Sequence, residues 1–283
     1  MFRIGVLENA SAAAPKPTVI ALHCSGSSAN QWRSLAGRLG NGFAGWAPDL
    51  IGHGSMGDWT GEHAFTLSDE AAQIVEVIDC IGVPVHLVGH SYGGAVALRV
   101  ARERASRIAS LVLYEPVAFD VLRTASPGGN EALAEIRTLA AEIGSAVLAG
   151  SYREAAKQFV TYWNGEASWA ELDEEVRQNL IRYIPKATLE FRAAIFERTP
   201  PAAYRYFNFP VLLLEGEHTS PGMRMIVRQL ARAMKFASPR ICPGAGHMGP
   251  LTHAEAVGVV IADFIERQEC GRKTNSSTLR FAA

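Results

Sequence analysis

The segment Val85-His86-Leu87-Val88-Gly89-His90-Ser91-Tyr92-Gly93-Gly94 carries the pattern best suited to chemistry in this chain. An apolar run ends at Val88, a Gly-x-Ser-x-Gly turn follows, and a stretch rich in Ala, Val and Leu begins directly afterwards. Strand, sharp turn and helix in that order lift a serine hydroxyl above the end of a sheet. The flanking glycines permit the close approach of strand and helix that the turn needs, and the helix start brings backbone N–H groups and positive dipole to the reacting atom. Ser91 is therefore a candidate nucleophile. A serine hydroxyl attacks a carbonyl at neutral pH only when a base takes its proton. The base needs a carboxylate to orient its ring, and the oxyanion formed by attack needs preorganised donors. Eight histidines compete for the base.

These groups must be brought together by the elements around them. Short apolar runs bounded by Gly and Pro alternate with segments of helical periodicity, which predicts an α/β fold. Strands are expected over Thr18 to His23, Phe43 to Ala47, Val85 to Val88, Ser110 to Tyr114, Val211 to Leu214 and Phe236 to Ile241. Four of them are nearly continuous apolar runs, the mark of a largely parallel sheet buried on both faces. Helices are expected over Leu67 to Ile81, Gly93 to Glu103, Gly222 to Met234 and His253 to Gln268. In the first, Ala71, Ile74, Val75 and Ile78 recur at i, i+3, i+4 and i+7, with Ser68 placed to cap its start. The alternation lapses between Phe119 and Phe207, which reads as several helices inserted into the fold. The polar, aperiodic residues 271–283 read as a disordered tail.

Composition excludes more than it identifies. With 27 Lys+Arg against 28 Asp+Glu the formal net charge is -1, which argues against nucleic-acid or membrane-surface partners recruited by bulk charge. At 48% hydrophobic and 19% charged residues the chain can bury a large core. Cys24, Cys80, Cys242 and Cys270 are scattered, with no framework of the kind that staples secreted domains. The N-terminus lacks an apolar signal-peptide core, and no window approaches the ~20 apolar residues of a membrane helix. A cytoplasmic protein is the expectation, with no metal, since no ligand spacing such as His-Glu-x-x-His is visible.

Taken together, Leu22–Trp32 (LHCSGSSANQW), Pro48–Met56 (PDLIGHGSM), Val88–Gly94 (VGHSYGG), Leu111–Pro116 (LVLYEP) and Pro243–Pro250 (PGAGHMGP) resemble, in order and spacing, the α/β-hydrolase fold family. The resemblance runs from about Thr18 to Ile265 and is weakest between Phe119 and Phe207. It implies a mostly parallel sheet with helices on both faces, a core of residues 1–118 and 208–270, and a helical lid over 119–207. It implies His247 as the base, in the turn after the last strand and downstream of the nucleophile. The oxyanion donors it implies are the backbone amides of Tyr92, which follows the nucleophile, and Ser25, in His23-Cys24-Ser25-Gly26 where relatives often read His-Gly-x. His23 then braces this loop and Cys24 is a buried packing residue. His90 reads as structural, His86 as core or lid-facing, and His53, His63, His218 and His253 as loop or surface residues.

The chain departs from the family pattern at the acid. Most relatives place an Asp in the loop after the next-to-last strand, where this sequence has Thr219. Some relatives, including a group of haloalkane dehalogenases, take the acid from the end of the strand after the nucleophile helix, and here that position is Glu115. Glu115 is the first choice, with Glu215 and Glu217 as alternatives. Dehalogenases and epoxide hydrolases of this fold carry aspartate at the elbow, so Ser91 points instead to acyl chemistry on an ester-type bond through an acyl-enzyme, without a cofactor. The aromatic residues Tyr152, Phe159, Tyr162, Trp163, Trp169, Tyr183, Phe191, Phe196, Tyr204, Tyr206 and Phe207 suit a lid over a small, largely apolar substrate. Two further readings stay open: a small-molecule binding or receptor protein with weak turnover, and a carbon–carbon bond hydrolase using the same triad.

Overall fold

Seven strands form one sheet in the computed structural model, which describes residues 2–4, 16–125 and 127–280. They are β1 (Phe2–Ile4), β2 (Thr18–Leu22), β3 (Ala44–Ala47), β4 (Val85–His90), β5 (Ile108–Tyr114), β6 (Val211–Gly216) and β7 (Ala237–Cys242), in the spatial order β1-β3-β2-β4-β5-β6-β7. Each neighbouring pair is parallel. All carboxyl ends therefore lie along one edge, and chain direction across the sheet reverses between β2 and β4, the place where open α/β sheets form their crevice.

β4, β5 and β6 are buried along their whole length, as their continuous apolar sequences require. Alternate residues of one strand feed two cores. Leu87, Leu111, Leu113, Val211 and Leu213 pack on one side; Val88, Val112, Tyr114, Leu212 and Leu214 pack on the other. The first core receives α2 (Leu67–Ile81), α3 (Tyr92–Glu103) and α8 (Pro221–Ala233), and the second receives α1 (Arg33–Leu39) and α10 (Ala254–Arg280). Between β5 and β6 run α4 (Gly129–Leu148), α5 (Tyr152–Asn164), α6 (Ser168–Glu171) and α7 (Glu174–Phe196), and α9 (Gly249–Thr252) precedes α10.

Several boundaries differ from the sequence reading. β4 continues through Gly89 to His90 and β6 through Glu215 to Gly216, because ladder pairing carries strands past the end of their apolar runs. The start of α2 is capped by Thr66, not Ser68: Thr66 and Asp69 exchange side-chain and backbone bonds in a capping box. β1 was not expected. α10 does not stop at Gln268 but continues as helix through Arg280, where a disordered tail is expected; residues 281–283 lie outside the described part, as do residues 5–15 of the N-terminal segment. Among the described residues no helix is long and apolar enough to cross a membrane.

Candidate active site

The register of the sheet assembles the site. β4 pairs β5 at His90 and Tyr114, so the residues that follow, Ser91 and Glu115, emerge side by side. The Ser91 N–H donates to the Tyr114 carbonyl at 3.0 Å, and the Glu115 N–H donates to the Leu214 carbonyl at 3.0 Å. Ser91 (φ +52°) and Glu115 (φ +40°) are the two non-glycine residues with positive φ among those described. Such conformations cost about 1–3 kcal/mol each and persist only where surroundings enforce them. At Ser91 the enforcement is steric. A Cβ on Gly93 would lie 2.3 Å from the His23 carbonyl, and one on Gly89 2.5 Å from that of Gly93.

Glu115 is fully buried. Its Oε1 accepts from the Gly216 N–H at 2.7 Å, and its Oε2 faces Nδ1 of His247 at 2.8 Å. On the other side of the ring, Nε2 of His247 lies 3.0 Å from the Ser91 hydroxyl. A ring that donates from Nδ1 to a carboxylate presents the lone pair of Nε2 to the serine proton. The three side chains form one hydrogen-bonded line, Glu115 to His247 to Ser91. Glu215 and Glu217 stand elsewhere: Glu215 is buried with Oε2 lacking a hydrogen-bond partner among the described residues, and Glu217 accepts from the Gly244 N–H. Thr219 is buried and its hydroxyl likewise lacks a partner among the described residues.

The loop carrying His247 is held from two directions. The Tyr114 hydroxyl donates to the Gly246 carbonyl at 2.7 Å. Nε2 of His90 lies 2.8 Å from the His247 carbonyl, and Nδ1 of His90 lies 3.1 Å from Nε2 of Gln31, whose Oε1 accepts from the Cys24 N–H. His90 thus ties the His247 loop to the loop after β2. Burial, and then the neighbouring His247, hold its imidazole well below the usual histidine range. Gln31 gives no sequence signal for this part; it is a polar residue in a short 3-10 turn, recognisable only from its buried partners.

Most amides of the loop after β2 are tied within the protein. The Cys24 N–H bonds Gln31, the Gly26 N–H meets Nε2 of His53 at 3.3 Å, and the Ser27 N–H returns to the Cys24 carbonyl. The Ser25 N–H has no protein acceptor among the described residues. Tyr92 opens α3, where a helix leaves its first amides without intrahelical acceptors. Ser25, Tyr92, Ser91 and His247 border one cavity of about 880 Å³. Burial pushes the Cys24 thiol up to about 12, which fits a packing role. His23 bridges the Cys24 carbonyl and the Leu50 N–H.

His53 is not a surface residue. It is buried, and the burial pushes its imidazole down to about 4. His86 is buried against Ser110 (2.8 Å) and Glu269 (3.0 Å), a second Ser-His-Glu set that ties α10 to the sheet. His63, His218 and His253 reach neither Ser91 nor Glu115; His218 borders the cavity.

Helices between β5 and β6 complete the cavity wall with Phe159, Val160, Leu180 and Phe191, beside Phe119. Trp163 of α5 stacks on the ring of His247, centroids 4.4 Å apart and planes 26° from parallel. Neither Trp163 nor Phe159 is singled out as a site residue by spacing, because helical aromatics read equally as core.

Residues 19–258 match the model of the alpha/beta hydrolase family. Among curated relatives, Lipase LipV of Mycobacterium tuberculosis is 42% identical over 76 residues, which cover 26% of this chain and 28% of that protein. The chain thus spans less than a third of the length of this relative. A putative carbamate hydrolase RutD of Variovorax paradoxus is 26% identical over 82% of this chain and 91% of its own length. A solved thermophilic esterase from Thermogutta terrifontis superposes with a TM-score of 0.68 at 22% identity, covering 90% of this chain and 91% of that one, a likeness of fold.

Proposed function

The chain belongs to the alpha/beta hydrolase family, and we propose that it is a serine hydrolase cleaving an ester-type acyl bond of a small, largely apolar substrate. The observation that carries this reading is the hydrogen-bonded line of Glu115, His247 and Ser91 at 2.8 and 3.0 Å. Ser91 Oγ attacks the substrate carbonyl while Nε2 of His247 takes its proton. Glu115, held by the Gly216 amide, keeps Nδ1 protonated and stabilises the imidazolium. The oxyanion is received by the amides of Ser25 and Tyr92. His247 then protonates the leaving oxygen, and an acyl-Ser91 ester remains. Water attacks that ester as His247 removes its proton, the acid departs, and the Ser91 hydroxyl is restored.

Substrate character follows from the wall. A cavity of this size accepts a small organic molecule. Phe119, Phe159, Phe191, Val160 and Leu180 favour an apolar acyl part. The segment of α4 to α7 serves as the lid in this reading. Thr219 alone favours a binding protein without turnover, but Glu115 supplies the carboxylate whose loss that reading requires.

Labelling with a fluorophosphonate, followed by peptide mapping, tests the nucleophile. Wild-type protein is expected to carry the adduct on Ser91 and to release p-nitrophenol from short-chain esters, and Ser91→Ala to do neither. An S91A variant that turns over these esters like wild type rejects the mechanism.

A further inference from the structure

A second buried polar cluster joins the helical segment to the loop after β2. At its centre is Glu190 of α7, 2% exposed. Its Oε2 accepts from the Ser25 hydroxyl at 2.5 Å and from the Tyr183 hydroxyl. Its Oε1 lies 3.3 Å from Nε2 of His53 and 3.9 Å from Nζ of Lys186. Lys186 also approaches Oε2 of Glu70 at 3.5 Å, and Glu70 accepts from the Ile51 N–H and the Tyr92 hydroxyl. A carboxyl group this deeply buried is expensive unless its oxygens are engaged, so its position beside Ser25 calls for a reason.

We propose that Glu190 is a positioning residue for the oxyanion hole: by holding the Ser25 hydroxyl it fixes the residue whose N–H has no protein acceptor at the cavity border. The inference rests on the reading of Ser25 as a donor given above and adds the group that aims it. A donor is effective only when it is already aimed at the place where charge develops. The stretch from His23 to Ser28 has no helix or ladder to hold it, and it includes Gly26 at φ +69°. Its neighbours are tied by amides: Cys24 to Gln31, Gly26 to His53 and Ser27 to Cys24. The Ser25 amide has no such tie among the described residues, and neither has that of Ser28; in the proposed mechanism the Ser25 amide stays free for the substrate, so its side chain supplies the restraint. Glu190 does so from α7, in the helical segment between β5 and β6. A Cβ on Gly26 would already meet Leu180 and Tyr183 at 3.1 and 3.2 Å, so side chains of α7 pack closely on this loop beside Ser25. The oxyanion donor and the segment over the cavity therefore act as one unit, and the site is complete only with α7 docked.

The test compares Glu190→Leu, Glu190→Gln, Ser25→Ala and the double variant S25A/E190L in the full chain. Readouts are p-nitrophenyl ester kinetics and inhibition by a trifluoromethyl ketone, whose Ser91 hemiketal places an oxyanion in the hole. E190L and S25A are each expected to lower kcat about 10- to 100-fold with KM within about twofold, and to weaken the ketone by a similar factor. E190Q, whose amide oxygen still accepts from both hydroxyls, is expected to recover most of the activity. The double variant is expected to be no worse than either single one, because both remove the same contact. Wild-type kcat in E190L, a loss confined to KM, or losses that multiply in the double variant overturn the inference. If E190L does not fold, S25A and Tyr183→Phe decide: S25A with wild-type kcat and ketone affinity overturns it, and a loss in S25A with little change in Y183F supports it. S91A separates the two levels. Turnover by S91A rejects the serine mechanism itself, whereas inactive S91A beside fully active E190L rejects the role of Glu190 alone.

Discussion

Glu115 and His247 meet at 2.8 Å from chain positions far apart, the carboxylate at the end of β5 and the imidazole after β7. Glu115 takes a φ of +40° immediately after Tyr114, and its two oxygens reach the end of β6 at Gly216 and the loop after β7 at His247. The Gly216 amide occupies its second oxygen, so the carboxylate is fixed at both ends. In the proposed mechanism this oxygen pair sets the tautomer of His247.

Glu115→Gln is therefore expected to lower kcat by about 10⁴-fold with little change in KM, as losing the orienting acid of a triad does. The Gln oxygen still accepts from Gly216, so Tm should stay close to wild type. Glu215→Gln and Glu217→Gln, whose side chains stand away from His247, should leave kcat within about twofold. Steady-state kinetics with a thermal melt on each variant checks this, and full activity in E115Q removes Glu115 from the mechanism.

Trp163 covers the face of His247 at 4.4 Å. An aromatic face attracts a cation by about 0.5–2 kcal/mol, and the proposed mechanism forms an imidazolium at His247 as Ser91 attacks, so the contact favours that step. Trp163→Leu is expected to lower kcat by about 2- to 30-fold, with Trp163→Phe between it and wild type. Equal kcat in all three proteins would show that the indole only fills space.

Ser91 and Glu115 were readable because each belongs to a local pattern: Ser91 to a Gly-bounded turn after an apolar strand, Glu115 to the polar end of another. His247 was readable only through its position in the order of motifs. What was not readable depends on contacts between distant segments. His53 lies in a glycine-rich loop that looks exposed, yet α7 and the loop after β2 cover it. Gln31 and His90 form a bridge whose members lie in separate elements, and neither residue type announces it. The extension of α10 failed for a different reason. Its last residues are polar and aperiodic, so amphipathic patterning gives no sign of a helix there. The cap of α2 was misplaced by two residues because Ser and Thr are both good caps, and only Thr66 has the extended backbone a cap requires.

Gly93 sets the closeness of α3 to β2. A Cβ there would sit 2.3 Å from the His23 carbonyl and 2.5 Å from that of Leu22, both backbone atoms that cannot swing aside. Gly93→Ala should abolish soluble folded protein or depress Tm by many degrees. Gly37 is the control: it is exposed within α1 and an added Cβ meets nothing within 4 Å. Gly37→Ala should stabilise the protein by about 0.5–1 kcal/mol through helix propensity. Chemical denaturation of the two variants distinguishes packing from propensity, and a stable G93A would show that the elbow has slack.

Glu70 gives a pH dependence with a definite sign. Burial pushes its carboxyl up to about 7 from 4.5, against the pull of Lys186. Below pH 4.5 the folded and unfolded chains both hold this proton. Between 4.5 and about 7 the folded chain keeps it while the unfolded chain releases it, so the stability this group contributes is fully present at low pH and is lost as pH rises through 7. His53 has the opposite sign: pushed down to about 4, it contributes stability above pH 6.5 that is lost on acidification through 4. The two oppose each other in the wild type, so a single pH profile of Tm does not isolate either. Glu70→Gln does, since its amide oxygen can still accept from the Ile51 N–H and every histidine is unchanged. The stability of wild type relative to E70Q is expected to fall between pH 4.5 and 8 by up to about 3 kcal/mol. Urea titrations of both proteins at four or five pH values measure that difference; a difference that stays constant with pH means that Glu70 ionises in the folded protein as it does in the unfolded one, and one that grows in favour of wild type means that the folded protein holds its carboxyl below the unfolded value.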